Sequence, residues 1–257
     1  MKPNYNSITF LGTGTSQGIP IIGCTDPVCL SNNPKDKRLR CSALINYNGL
    51  DILLDCGTDF RTQMLRENKA NVDAVLLTHE HTDHVGGLDD LRPINFIKKQ
   101  DIPIYGLNRT LDDIKIRYSY AFSKNKYPGA PGFQLFPVKD VFNIKNIKIT
   151  PIHVLHGKLP ILGYKIGNLS YITDASFIDE KEMDKIFNSE ILVLNSLRLE
   201  EHHSHFNLDQ ALQVIDKVKP KKSYLTHISY QLGFHEEIEK NLPPNVFLAY
   251  DGLELNF

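Results

Sequence analysis

Short apolar runs rich in Val, Ile and Leu recur along the chain, and most stop at Gly, Asn, Asp or His. Such runs, bounded by turn residues, predict buried strands. They fall at residues 7–11, 42–47, 51–54, 72–77, 102–105, 144–151, 163–166, 170–173, 191–195, 222–225, 246–250 and 253–257. Asn48-Gly49 predicts a tight hairpin between the second and third. The apolar spacing becomes helical over residues 60–68, 86–97, part of 110–123, 180–187 and 207–218, with a break or kink at Pro93. Residues 19–40, with Pro20, Pro27 and Pro34, read as irregular. Residues 124–137 are loop-like and suggest a lid or flap; the aromatics just before them, Tyr118, Tyr120 and Phe122, suit core or dimer packing equally. No repeat, low-complexity tract or domain boundary interrupts residues 1–257. The two halves echo each other, each with strands that end in metal-ligand residue types. The pattern predicts one α/β (α+β) domain of two mixed sheets packed face to face, with helices outside.

Composition narrows the class. The chain has 257 residues, enough for a sizeable core, with 41% hydrophobic and 23% charged residues. A formal net charge of -1 gives no basic field for nucleic acid and no acidic excess for disorder. No run is long enough to span a bilayer, and the N-terminus has no long apolar leader, so a cytoplasmic location is expected. Four cysteines, Cys24, Cys29, Cys41 and Cys56, are too few for a disulfide framework and read as free thiols or metal ligands.

The chemistry concentrates at Thr78-His79-Glu80-His81-Thr82-Asp83-His84, directly after a predicted buried strand. Three imidazoles and a carboxylate this close together suit a divalent transition metal. In an extended segment His79, His81 and Asp83 share a side and His84 diverges, so one cluster can serve two ions. Other ligand types stand at later strand ends: His156, Asp174, His205 and His227. His79, His81 and His156 complete one ion site on this reading. Asp83, His84 and His227 complete the other, and Asp174 bridges both unless it caps a helix. Two ions this close would hold a hydroxide between them and polarise a phosphoryl oxygen. Asp55, also at a strand end, can support a ligand. The small-residue loop at residues 12–18, including Gly14 and Thr15, can bring backbone N–H groups to a phosphate or simply form a tight turn. Cys24 and Cys29 can hold a structural zinc or lie buried as plain thiols. The charge run at residues 35–40 is either a solvated face or a contact for an anionic substrate.

The H-x-H-x-D-H run, followed in order by His156, Asp174 and His227, resembles the metallo-β-lactamase superfamily. Leu11-Gly12-Thr13-Gly14, Gly23-Cys24 with Cys29, Arg40-Cys41-Ser42, Leu225-Thr226-His227-Ile228-Ser229 and Asp251-Gly252-Leu253-Glu254 resemble its cyclic phosphate phosphodiesterases. The resemblance implies a four-layer αββα sandwich and two divalent ions, zinc or manganese, with iron as an alternative. It also implies hydrolysis of a small or cyclic phosphodiester. His205 is assigned to the substrate phosphate or the leaving group, as an imidazolium that protonates the departing alkoxide unless a metal-bound water does so. In that family three cysteines and a histidine hold a structural zinc. Asp26 stands here at the middle cysteine and Tyr230 at the histidine, so Asp26 or His235 would have to complete the set. The rivals are a nuclease resembling transfer-RNA 3′-processing enzymes, a thioester or lactam hydrolase and, ranked last, a non-hydrolytic diiron redox protein. The expected partner is a small phosphodiester; nucleic acid is less favoured, a membrane is not expected, and a homodimer is left open.

Overall fold

The computed structural model describes residues 6–257. The expectation about an N-terminal leader falls partly on residues 1–5, outside the described residues. One sheet contains β1 (Ser7–Gly12), β2 (Ser42–Tyr47), β3 (Leu50–Leu54), β4 (Ala74–Leu76), β5 (Ile102–Gly106) and β6 (Phe133–Pro137). The second contains β7 (Phe142–Ile144), β8 (Ile147–His156), β9 (Leu159–Ile166), β10 (Leu169–Ile172), β11 (Phe177–Ile178), β12 (Ile191–Asn195), β13 (Lys222–Thr226) and β14 (Val246–Leu248). The chain then returns to the first sheet with β15 (Glu254–Asn256), which pairs with β1. The first sheet has the order β15-β1-β2-β3-β4-β5-β6. The second runs β11-β8-β9-β10-β12-β13-β14, with β7 paired to β8.

Period-two alternation explains the layers. Ile45, Ile52, Leu54 and Leu76 face the second sheet and meet Tyr164, Tyr171 and Val193 there. Their neighbours Leu44, Leu53 and Val75 face outward. That outer face is covered by α2 (Phe60–Arg66), α4 (Arg92–Lys98) and α5 (Asn108–Arg117); α1 (Pro27–Leu30) and α3 (Thr82–Val85) are single turns. On the second sheet Ile152, Leu192 and Leu194 pack against Ala211, Val214 and Val218 of α7 (Leu208–Val218), beside α6 (Glu180–Ile186) and near α8 (His235–Glu239). The result is the expected αββα sandwich. Asn207 begins α7 with a reciprocal capping box to Gln210, which explains its sharp start.

Several boundaries differ from the pattern. Pro93 does not kink a long helix; a 3-10 turn covers Leu88–Leu91, and Pro93 sits in the first turn of α4, where its missing N–H costs nothing. Strand β8 runs on through Pro151 to His156. The end of the expected loop 124–137 is β6, a parallel edge strand on β5. The aromatics beside it serve core packing, with Tyr118 buried and Tyr120 and Phe122 against the same cluster. Phe133 packs edge-on to Tyr118 with centroids 6.2 Å apart, and the Tyr118 hydroxyl donates to Val85 O at 2.7 Å.

The charge run is neither a solvated face nor a free cationic contact. Arg38 is fully buried, donating to Ala249 O at 2.5 Å and Thr13 Oγ1 at 2.8 Å and meeting His235 Nδ1 at 3.1 Å. Burial lowers its pKa to about 10 despite nearby carboxylates, with the guanidinium still charged near neutrality. Arg40 pairs with Asp59 at 2.9 Å. Asp251 gathers the same region: it accepts from Thr13 N and Oγ1, Leu39 N and Arg66 Nη1 at 2.7–3.0 Å. This carboxylate ties the C-terminal turn to the glycine loop. Asp251→Ala leaves four donors without it, and the expected loss is about 3 kcal/mol in urea unfolding. An unchanged midpoint would remove Asp251 from this role.

Candidate metal centre

Both sheets deliver side chains to one edge. Strand β3 leads to Asp55, β4 leads into His79, β8 ends at His156, β10 leads to Asp174 and β13 leads to His227. Asp55, Asp174 and His227 all have left-handed φ, at 59°, 60° and 55°. Non-glycine residues seldom adopt it, and such strain clusters at functional sites. Here it turns each side chain back over the strand ends.

The histidine loop is extended only as far as His81. Helix α3 starts at Thr82 and carries Asp83 and His84. That turn separates the ligands, so Asp83 does not share a side with His79 and His81 as an extended loop would require. Two sets of ligand atoms emerge, each mutually within 4.8 Å: His79, His81 and His156, and Asp83, His84 and His227. Asp174 groups with His79 and His84 and also with His156 and His205. Its Oδ1 lies 3.0 Å from His227 Nε2 and its Oδ2 3.3 Å from His84 Nε2. It caps no helix. The structure brings the candidate ligands together, with the turn at Thr82 rather than an extended loop dividing them.

The donor set fits divalent ions. The Nε2 of His84 and both ring nitrogens of His227 are buried without a hydrogen-bond partner, an arrangement that a cation would satisfy. Burial, and then the neighbouring His84, hold His79 well below the usual histidine pKa, so it is a neutral lone-pair donor. Burial would raise Asp174, but His227 and His84 outweigh it and keep the carboxylate ionised. Burial likewise opposes charge on His84, yet Asp174, Asp55 and Asp83 raise its pKa well above normal. These carboxylates make the cavity demand positive charge.

Surrounding groups fix the rings. Asp55 Oδ2 meets His84 Nδ1 at 2.7 Å and also accepts from Thr78 Oγ1 at 2.9 Å. Ser204 O receives His156 Nδ1 at 2.7 Å, leaving Nε2 for an ion. Thr78 Oγ1 lies 2.9 Å from His79 Nδ1. Gly57 permits the close approach of the loop, because a Cβ there would lie 2.0 Å from Asp83 O. Sequence reasoning found Asp55 but missed Thr78 and Ser204. The Ser204 contact uses a backbone carbonyl that any residue provides, so no side-chain signal existed.

His205 comes to the same place. Its Nε2 is 3.1 Å from Asp174 Oδ1, and its Nδ1 is 3.1 Å from both Ser204 Oγ and His202 Nδ1. Burial pushes its pKa down to about 4 despite the Asp174 carboxylate, so this pocket favours a neutral ring over the expected imidazolium. A neutral ring that donates from Nε2 to Asp174 leaves Nδ1 to accept from Ser204.

Two other expectations change. The N–H groups of Thr13, Gly14, Thr15 and Gly18 are already bonded to Asp251 Oδ1, Leu39 O, Ile228 O and Thr15 O. Gly14 and Thr15 are therefore not a free phosphate cradle; the loop pairs with Ile228 and steadies the turn after His227. Cys24 and Cys29 lie together near Tyr230 and Phe234. Asp26 caps α1 by accepting from Val28 N, and His235 faces Arg38 and Glu239. Both residues that would complete the cysteine pair are turned to other partners, and among the described residues no close ligand set includes either cysteine.

If the two sets hold two ions, His81→Ala should remove one while the Asp83–His84–His227 set, with both its histidines buried, keeps the other. Asp55→Ala should instead weaken the His84 ion about 10–100-fold, as loss of a ligand's hydrogen-bond partner typically does. Metal stoichiometry by elemental analysis separates the two, and two full equivalents on His81→Ala would exclude that side chain as a ligand.

A family profile described as Beta-lactamase superfamily domain matches residues 51–228. A diphosphatase of the PhnP family superposes with a TM-score of 0.92 at 38% identity, over 98% of each chain. An octanoyltransferase of Porphyromonas gingivalis is 43% identical over 95% of this chain, which spans only 50% of that protein's length. Zinc-bound PqqB of Methylobacterium extorquens shares the fold, with a TM-score of 0.78 at 18% identity over 98% of this chain and 100% of that one. Among the described residues no helix is long and apolar enough to cross a membrane. The chain belongs to the β-lactamase superfamily, with a metallo-β-lactamase fold that resembles the PhnP-family diphosphatase.

Proposed function

We propose that the chain is a two-metal phosphodiesterase acting on a small or cyclic phosphodiester. The observation that supports this best is buried Asp174, which groups with His79 of one three-ligand set and His84 of the other and has His205 against the same carboxylate. When bound, a pair of divalent ions supplies electrophilic polarisation of a phosphoryl group and a lowered pKa for water. His79, His81 and His156 would hold one ion; Asp83, His84 and His227 the other; Asp174 would join them. The remaining chemistry belongs to the protein. His205 Nε2–H, which donates to Asp174 Oδ1, would stabilise the departing oxygen by hydrogen bonding once substrate replaces that carboxylate oxygen as its acceptor. Anionic substrate beside that ring favours its protonated form, so substrate itself offsets the effect of burial. Asp55 and Ser204 O hold the ligand rings while charge shifts at phosphorus. The similarity to a diphosphatase supports phosphorus as the electrophile.

One second reading has its own support. The relative of which this chain spans half is an octanoyltransferase, which favours an acyl ester or thioester as the alternative substrate class. A screen of manganese- and zinc-loaded protein with cyclic phosphates, an aryl phosphodiester, an acyl thioester and precursor transfer RNA discriminates these. Turnover of the phosphodiesters is expected; turnover of the thioester alone would replace the first reading with the second. His205→Ala should retain both ions and lose rate by a factor on the order of 10²–10⁴ with an unactivated leaving group. Loss of an ion would move His205 into the ligand set.

A further inference from the structure

The two ligand sets are not held equally. His84 and His227 are almost wholly buried, and Asp55 orients His84. In the other set His81 is exposed, and its ring has one close polar neighbour, His79 Nε2 at 3.0 Å. Burial does not fix His81, so its position depends on the backbone of the loop.

That backbone is gripped from α5. Glu80, between the two histidines, directs its carboxylate to the helix. Oε1 accepts from Arg109 Nε at 2.6 Å and Oε2 from the buried Thr110 Oγ1 at 3.0 Å. Arg117 adds Nη2 to Glu80 O at 3.2 Å and Nη1 to Thr82 Oγ1 at 2.9 Å. Arg109 reaches further: its Nη2 donates to Pro160 O at 2.8 Å. Pro160 lies in β9 of the other sheet, and its neighbour Leu159 is the register partner of His156. One guanidinium thus touches both the loop that carries His79 and His81 and the hairpin that carries His156.

An isolated exposed ion pair orders little. Here the fork geometry of arginine links the Glu80 carboxylate to the Pro160 carbonyl while Thr110 and Arg117 hold the same loop, so ordering is shared across a network. We propose that Arg109, acting through Glu80 and Pro160 O, is a positioning residue that sets the separation of His81 and His156 across the two sheets. It thereby tunes the His79–His81–His156 ion site selectively. The inference rests on the two-ion reading of the centre.

Calorimetric titration of the metal-stripped full chain with manganese, backed by elemental analysis after dialysis, tests it. Wild type should take two ions. Arg109→Ala should keep one at wild-type affinity and weaken the other about 10–100-fold, the usual cost of removing a supporting contact. Arg109→Lys, which keeps charge but loses the fork, should fall between them. Lys115→Ala, an exposed change on the same helix, should match wild type. Two unchanged ions on Arg109→Ala overturn the proposal. So does equal weakening of both with a lower melting temperature, since that reports general loss of structure. Fewer than two ions on wild type would remove the two-ion reading, and the inference with it.

Discussion

Burying Asp174 between the sheets is the constraint on which the rest depends. An isolated carboxylate in an apolar interior is strongly unfavourable. Asp174 is almost fully buried, yet His227 and His84 keep it ionised. Its cost is met only if cationic or metal-bound partners arrive from the strands of both sheets. The same logic applies to Asp55, whose burial raises its pKa and whose partners His84 and Thr78 oppose that rise. The cluster is a set of mutually dependent groups, and leaving one uncompensated is destabilising.

The sandwich supplies this arrangement by keeping its apolar layers in register. The facing rows around Ile45, Ile52, Tyr164 and Tyr171 hold the sheets together below the site. The strand ends above can then take left-handed turns at Asp55, Asp174 and His227. Latches around the rim, such as Asp251 on the glycine loop and Ser204 O on His156, hold segments that have little packing of their own.

Unequal support has a chemical meaning. One candidate ligand set centres on the buried His84 and His227; the other includes the exposed His81. His205 lies against Asp174, which groups with His79 of one set and His84 of the other, so both sets and this ring meet at one buried carboxylate. Preorganised polar groups in a partly enclosed site are what a reaction that develops negative charge needs.

Much of this was readable from residue order. Strand runs, the Asn48-Gly49 hairpin and the helical spacing over residues 207–218 are local, because propensity and short-range hydrogen bonds decide them. Four candidate ligands, His79, His81, Asp83 and His84, stood out because their residue types are rarely spaced so closely without chemistry, and His156, Asp174 and His227 stood out at predicted strand ends. Other features needed the tertiary structure. The turn at Thr82 that separates Asp83 from His81, the burial of Arg38 within a charged run, the engaged N–H groups at Gly14 and Thr15 and the neutral preference of His205 all depend on distant segments. So does the Glu80–Arg109 contact, which spans 29 positions. The sequence by itself determined the ligand types and the apolar layers, since both follow from side-chain chemistry and periodicity. Only the packing of one sheet on the other decided which ligands meet and which charges are buried, because desolvation and coordination depend on neighbours that the linear order does not place.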